Sequence, residues 1–278
     1  CSNGMGKDGL AVASLVKELG FDMRCFIVEG QLRDKIWDER MSTMKKFYSL
    51  KNIPSNIVTT NYFDIFSSIS GIYCYFLGIP LACHYGSEAI LSGIQIHVSK
   101  TSQIDNVPYC PNESIFGFNY ATKATGINFS SPTGPISEYG AQKLLVERYP
   151  ELLKYQRSCN YGLPWCNRCS KCRRTSLYLE LLGKEYRNLG LGYAKKEDFS
   201  FPIKYYSGAF ENDMLVLKLR ERYGGVMESD ILALKMREKR PYGEWLVKTN
   251  ETVYPLIWKG GEISDILEEH FESYSHDP

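Results

Sequence analysis

Residues 4–28 read Gly4-Met5-Gly6-Lys7-Asp8-Gly9, then Leu10-Ala11-Val12-Ala13-Ser14-Leu15-Val16-Lys17-Glu18-Leu19-Gly20, then Phe21-Asp22-Met23-Arg24-Cys25-Phe26-Ile27-Val28. Their order decides the fold class. Glycines at 4, 6 and 9 make a tight loop. Beyond it Leu10, Val12, Ala13, Val16 and Leu19 recur at helical spacing, and Gly20 supplies a stop. Met23 to Val28 is a buried strand that ends at Glu29-Gly30. The pattern continues outward, with a helix from Arg33 to Leu50 and a short strand at Ile57-Val58-Thr59-Thr60. An apolar helix from Tyr62 to Leu77 follows, and Pro80-Leu81-Ala82-Cys83 leads into another short strand. Strands and helices alternate without hairpin turns between them, which predicts an α/β domain with a mostly parallel sheet flanked by helices. A glycine loop of this kind normally follows a strand, so a strand or a whole domain is expected upstream of Cys1. The rival reading makes Cys1 a processed N-terminal nucleophile.

From His84 to Asn128 the chain is polar and irregular. Ser137 is placed to cap a helix from Glu138 to Tyr149, closed by Pro150, and Arg173 to Leu182 reads as another helix. The domain is expected to span residues 1–185. Residues 186–278 are expected to form a helical C-terminal extension, with helices at Asn212–Arg222, Glu228–Glu238 and Ile263–Tyr274. The 33 basic and 32 acidic residues give a net charge of +1. Such a chain carries no global basic field for non-specific nucleic-acid binding. No apolar run reaches the roughly 18 residues of a membrane span, and no signal-peptide pattern is present. A cytoplasmic protein without a membrane partner is expected.

Of nine cysteines, four stand at Cys159, Cys166, Cys169 and Cys172. Cys1, Cys25, Cys74, Cys83 and Cys110 are scattered, which predicts buried thiols in a reducing compartment rather than a disulfide scaffold. Four thiolates separated by six, two and two residues fit one tetrahedral zinc ion. They fill its coordination sphere, so a structural role is predicted; an iron–sulfur cluster uses similar spacing. Arg168, Lys171, Arg173 and Arg174 would offset the negative charge. With Tyr161 and Trp165 they also admit a nucleic-acid-binding knuckle, against the reading in which Trp165 packs beneath the loop.

A glycine turn feeding a helix N-terminus directs backbone N–H groups and the helix dipole at an anion. Lys7 adds positive charge, and Asp8 can cap the helix or orient magnesium. The loop, the alternating elements and the sequence Ser158-Cys159…Trp165-Cys166-x2-Cys169-x-Lys171-Cys172 together resemble the PP-loop ATP pyrophosphatase superfamily. Within it the chain looks like the branch of 7-cyano-7-deazaguanine synthase and muramoyl-dipeptide glutamate epimerases, to which Gly134-Pro135-Ile136-Ser137-Glu138 is also similar. The resemblance covers residues 1–185. The family loop is Ser-Gly-Gly-x-Asp-Ser. Here Gly4 and Gly9 stand at the serine positions and Met5 at a glycine position, while Gly6 and Asp8 match and Ser2 lies nearby. The resemblance implies an enzyme that uses ATP and Mg2+ to adenylate a small-molecule carboxylate or amide and releases pyrophosphate. It implies that Ser2, Gly4, Gly6, Lys7, Asp8 and Gly9 bind ATP. Lys7, Asp8, Glu88 and Glu138 are the catalytic candidates, with His84 and Ser87 beside Glu88 after the strand at Leu81. Alternatives are a degenerate PP-loop subunit that binds nucleotide within a complex, and a tRNA-modifying enzyme. A protein partner or a homo-oligomer fits either.

Overall fold

The computed structural model describes residues 4–29, 34–60, 76–93, 121–133, 136, 138–159, 161–162 and 164–192, with short strands at 246–247 and 273–274. Helix α1 (Lys7–Glu18) starts at Gly6, whose extended backbone forms the N-cap without any side-chain cap. Gly20, at φ +78°, turns the chain after the helix as expected. Leu10, Ala11, Val12, Ala13, Leu15 and Val16 are all buried. An α-helix buried on so many sides lies at the centre of its fold, not on its surface.

Strand β1 (Cys25–Val28) pairs in parallel with β2 (Ser55–Val58), Cys25 opposite Ser55 and Val28 opposite Val58. Helix α2 (Asp34–Lys51) connects them and buries Met41, Met44, Phe47 and Tyr48 along one stripe. Strand β3 (Ala89–Leu91) pairs in parallel with β4 (Asn128–Ser130). Side chains alternate across the strands. Cys25, Ile27 and Leu91 join the cluster around α1, and Phe26, Val28, Ile90 and Phe129 join a second cluster with Ala82 and Ala121. Both strand pairs therefore lie between the same two apolar layers, as an α/β architecture requires.

Helix α4 (Glu138–Glu147) packs on α1. It leads through a 3-10 helix (Pro150–Tyr155) into the cysteine loop and helix α5 (Ser170–Leu181). Tyr186 and Leu191 are buried in the α1 cluster, so the core continues past residue 185. No helix among the described residues is long and apolar enough to cross a membrane.

Three expectations shift. Strand β2 lies two residues earlier than expected, because the Glu29 N–H bonds to Val58 O and the ladder ends there. Pro80 to Cys83 belong to a helix, α3 (Ile79–Tyr85), not to the approach of a strand. Pro80 occupies its first turn, where no backbone N–H is required. Gly86 ends it at φ +61°, and the strand comes later, at Ala89. At the far end, Ser273–Tyr274 form a short strand (β6) paired in parallel with Leu246–Val247 (β5), where a helix reaching Tyr274 was expected. The helices expected at Asn212–Arg222 and Glu228–Glu238, and Tyr62 to Tyr75 of the apolar helix, lie outside the described residues.

Candidate functional site

The four clustered cysteines bring their Sγ atoms within 4.8 Å of one another. Cys159 lies 3.9 Å from Cys169, Cys166 3.8 Å from Cys172, and Cys169 3.4 Å from Cys172. Four sulfurs about 2.3 Å from one ion form a tetrahedron with edges of about 3.8 Å, so this set can hold a metal ion. Backbone N–H groups point at the sulfurs: Tyr161 and Cys166 at Cys159, Cys169 at Cys166, and Cys172 at Cys169, over 3.3–3.5 Å. Partial burial works against a thiolate at Cys166, but the N–H groups of Arg168 and Cys169 outweigh it and bring its pKa down to about 6. Burial raises the pKa of Cys169 and Cys172. Those thiols would release protons when a cation binds. Of the remaining cysteines, Cys25 is buried and Cys83 is exposed, against the expectation of burial.

The loop depends on close packing. Gly162 lies so near Cys166 that a Cβ would fall 2.7 Å from its backbone N and Cα. Asn167 adopts φ +57°. Its side-chain amide bonds to Gly190 O at 3.1 Å and accepts from Gly192 N–H at 2.8 Å, tying the loop to the chain beyond α5. Trp165 is buried in the α1 cluster. Its indole is packed beneath the loop and offers no open face to a base, whereas Tyr161 is exposed.

The glycine loop sits directly beside this cluster. Arg157 N–H bonds to Met5 O at 2.6 Å. The buried Arg40 of α2 donates to Gly4 O at 3.0 Å and to Cys159 O at 2.6 Å. One guanidinium thus bridges the loop to the first cysteine of the cluster. Burial lowers the Arg40 pKa, while the nearby Cys159 acts to raise it. Upstream, Gln142 and Gln156 exchange amide hydrogen bonds of 3.1 and 2.9 Å in the interior. Gln156 also donates to Ser158 Oγ at 3.2 Å. Helix α4 thereby fixes the segment that runs past the loop.

Met5 is fully buried and holds a left-handed backbone at φ +62°, a conformation that ordinarily favours glycine. Lys7 Nζ lies 2.7 Å from Asp8 Oδ1 and 3.9 Å from Glu138 Oε2, the same oxygen that Arg174 Nε approaches to 3.3 Å. Gly93, just beyond the carboxyl end of β3, packs against Asp8 so tightly that a Cβ would fall 2.7 Å from the Asp8 Cβ. Its neighbour Ser92 buries an Oγ with no hydrogen-bond partner among the described residues. Lys171, one turn before Arg174 on α5, has no ion pair or hydrogen bond for its ammonium among the described residues. Although the residue is exposed, crowding around the ammonium lowers its pKa, with Arg40 acting in the same direction and Asp8 against it.

No protein-family model matches the chain, and none of the curated proteins compared with it is similar.

Of the residues singled out in the sequence, Gly4, Gly6, Lys7, Asp8, Gly9 and Glu138 meet at one place, and the four cysteines form their cluster beside it. Ser2 lies outside the described residues. Glu88 stands apart. With His84 and Ser87 it is exposed, and it precedes β3 rather than following a strand. It therefore sits at the opposite end of that strand from Gly93 and Asp8. Four residues escaped the sequence reading: Arg40, Arg157, Ser92 and Gly93. Arg40 left a trace, since it shares the stripe of Met44 and Phe47 at helical spacing, and an arginine on an apolar stripe has a buried acceptor to satisfy.

Proposed function

We propose that the chain is an ATP-dependent enzyme of the PP-loop kind that adenylates a small-molecule carboxylate or amide and releases pyrophosphate, with a structural zinc held by the four cysteines. The observation that carries this reading is the start of α1. Gly6 caps it without a side chain, so the N–H groups of the first turn open beside the carboxyl end of a parallel strand, at Gly93. Ligands of α/β sheets bind where strand ends and helix N-termini converge, and this N-terminus attracts negative charge.

In this reading the backbone of Gly4 to Gly9 holds the departing pyrophosphate. The acid's oxygen attacks the α-phosphorus, the bond to the bridging oxygen breaks, and an adenylate remains on the acid. Catalysis is positional and electrostatic. Asp8, about a third exposed at its side chain, is the candidate ligand for magnesium, which would supply charge to the leaving group. Glu138 acts as a positioning residue, because one of its oxygens already joins Lys7 to Arg174. Zinc in a closed set of thiolates supplies structure and no open coordination position.

Incubation with ATP, magnesium and a panel of acids, resolved by nucleotide chromatography, tests the proposal. AMP and pyrophosphate are the expected products. ADP and phosphate would place the chain in another class of nucleotide enzyme. ATP binding without turnover would favour a degenerate PP-loop subunit whose glycines at 4 and 9 cannot replace the missing hydroxyls.

A further inference from the structure

The cysteine loop spaces its sulfurs unequally. Cys169 and Cys172 bring theirs to 3.4 Å, whereas Cys159 and Cys169 stand 3.9 Å apart and Cys166 and Cys172 3.8 Å. A tetrahedral ion needs edges of about 3.8 Å, so one pair is closer than the ion requires and has the least distance to cover to a sulfur–sulfur bond of about 2.05 Å. Its place in the chain suits that bond as well. Cys169 is the N-cap of α5, with an extended backbone, and its Sγ accepts from Cys172 N–H. Cys172 lies in the first turn, and only Ser170 and Lys171 separate the two. A Cys-x-x-Cys pair astride a helix start is an arrangement that thiol–disulfide centres use.

Access divides the cluster further. Cys169 and Cys166 are half-buried, while Cys159 and Cys172 are buried. A small oxidant therefore reaches Cys169 from solvent, and the buried Cys172 is the sulfur nearest to it. Cys159 is a poorer partner, because its Sγ is farther from Cys169 and already accepts from the N–H groups of Tyr161 and Cys166. Cys166 and Cys169 share the two-residue spacing but do not straddle the start of the helix, so they are the competing pair.

We infer that the cluster is a redox-controlled metal site, in which a peroxide converts Cys169 and Cys172 into a disulfide and the ion is released. The inference rests on the proposed zinc and adds its regulation. The Cys169 thiolate attacks one peroxide oxygen, the O–O bond breaks, hydroxide leaves, and the sulfur becomes a sulfenic acid. The Cys172 thiolate then attacks that sulfur and displaces a second hydroxide, which closes the disulfide. The two sulfurs lose two electrons, the peroxide gains them, and both hydroxides take protons from solvent to become water. Cys159 and Cys166 alone are too few to fill a tetrahedral site, so the ion leaves. A dithiol reductant reverses the step by exchange and returns all four ligands.

Treatment of the full, zinc-loaded chain with hydrogen peroxide tests this. Metal released to a chromogenic chelator should match the disulfide formed, about one ion per disulfide. Peptide mapping after thiol blocking should find Cys169 joined to Cys172. Dithiothreitol with added zinc should restore the metal content, and amide exchange in residues 170–174 should rise on oxidation and return on reduction. Cys83→Ser, which removes an exposed thiol outside the cluster, should leave the rate and extent of release as they were. The inference is overturned, and the zinc reading survives, if the ion stays bound while peroxide oxidises Cys83, if Cys166 and Cys169 are the linked pair, or if release comes only with irreversible oxidation of the four sulfurs. Elemental analysis before treatment separates the two readings: a chain purified without metal ends the zinc reading, and this inference with it.

Discussion

At the residue scale, Lys7 shows the difference between reading a loop and seeing it. Its place in a glycine-rich turn was legible, and so was its proximity to Asp8. Its commitment to Glu138 was not, because no local pattern connects two residues so distant in the chain. Burial acts to lower the Lys7 pKa, but Asp8 and Glu138 outweigh it and hold the ammonium above its ordinary value, which is about 10.4. The folded state therefore keeps this proton after the unfolded chain has given it up. The resulting stability is fully present below about pH 10 and is lost as the pH rises through the raised folded value. Lys7→Met is expected to cost about 1–2 kcal/mol at neutral pH, because Glu138 keeps Arg174 as a partner and Asp8 is partly open to solvent. It should also flatten the fall in urea midpoint between about pH 9 and pH 11. Denaturation curves across that range check it, and a variant that falls in parallel with the parent would refute the assignment. Met5 carries the opposite lesson. Its left-handed backbone costs about 1–2 kcal/mol, yet its fully buried side chain contributes about 2–5 kcal/mol. Met5→Gly should therefore lower stability, although it relieves the backbone.

At the element scale, helix α5 depends on Cys169 twice. The residue is the helix's N-cap and a member of the four-sulfur cluster. Substitution can separate these roles. Cys169→Ser retains a cap acceptor but is a poor ligand for a thiophilic ion; Cys169→Ala retains neither. Both should lose bound metal by elemental analysis. The alanine variant should be less stable than the serine variant by about 1 kcal/mol, the usual worth of a cap, which is about 2–4 °C in melting temperature for a domain of this size. Equal melting temperatures would mean that the cap contributes nothing beyond the metal. The cysteine spacing made this cluster legible because its ligands are close in sequence and the pattern follows from coordination geometry. The latch that Asn167 forms with Gly190 and Gly192 was invisible, since nothing distinguishes an asparagine in a left-handed turn from one in solvent. The strand at Ala89–Leu91 was misplaced for a related reason: short apolar runs suit helix and strand equally, and Pro80 in a first turn stabilises what it would otherwise break.

At the scale of the whole molecule, the parallel α/β character was readable because alternating buried strands and amphipathic helices have few other solutions. The meeting of loop and cysteine cluster was not readable, because it depends on long-range bonds: Arg40 to Cys159 and Arg157 to Met5. If those bonds join the two sites, chelating the metal should accelerate amide exchange in α5, in residues 156–159 and in residues 4–6 together, while the β1–β2 pair keeps its protection. Exchange followed by mass spectrometry distinguishes this from a uniform loss, which would make the metal a support for the entire fold. The guanidinium bridge also has a temporal consequence. Arg40 and Cys159 are 119 residues apart, and a ribosome adds about 5–20 residues per second. On the order of ten seconds of translation therefore pass between the synthesis of the arginine and that of the carbonyl it holds. Until the end of that interval the cluster around the first helix lacks the side chains that the later helices supply, Leu144, Leu145 and Leu152 among them, so the nascent N-terminal segment keeps part of its apolar surface uncovered until the chain nears the cysteines.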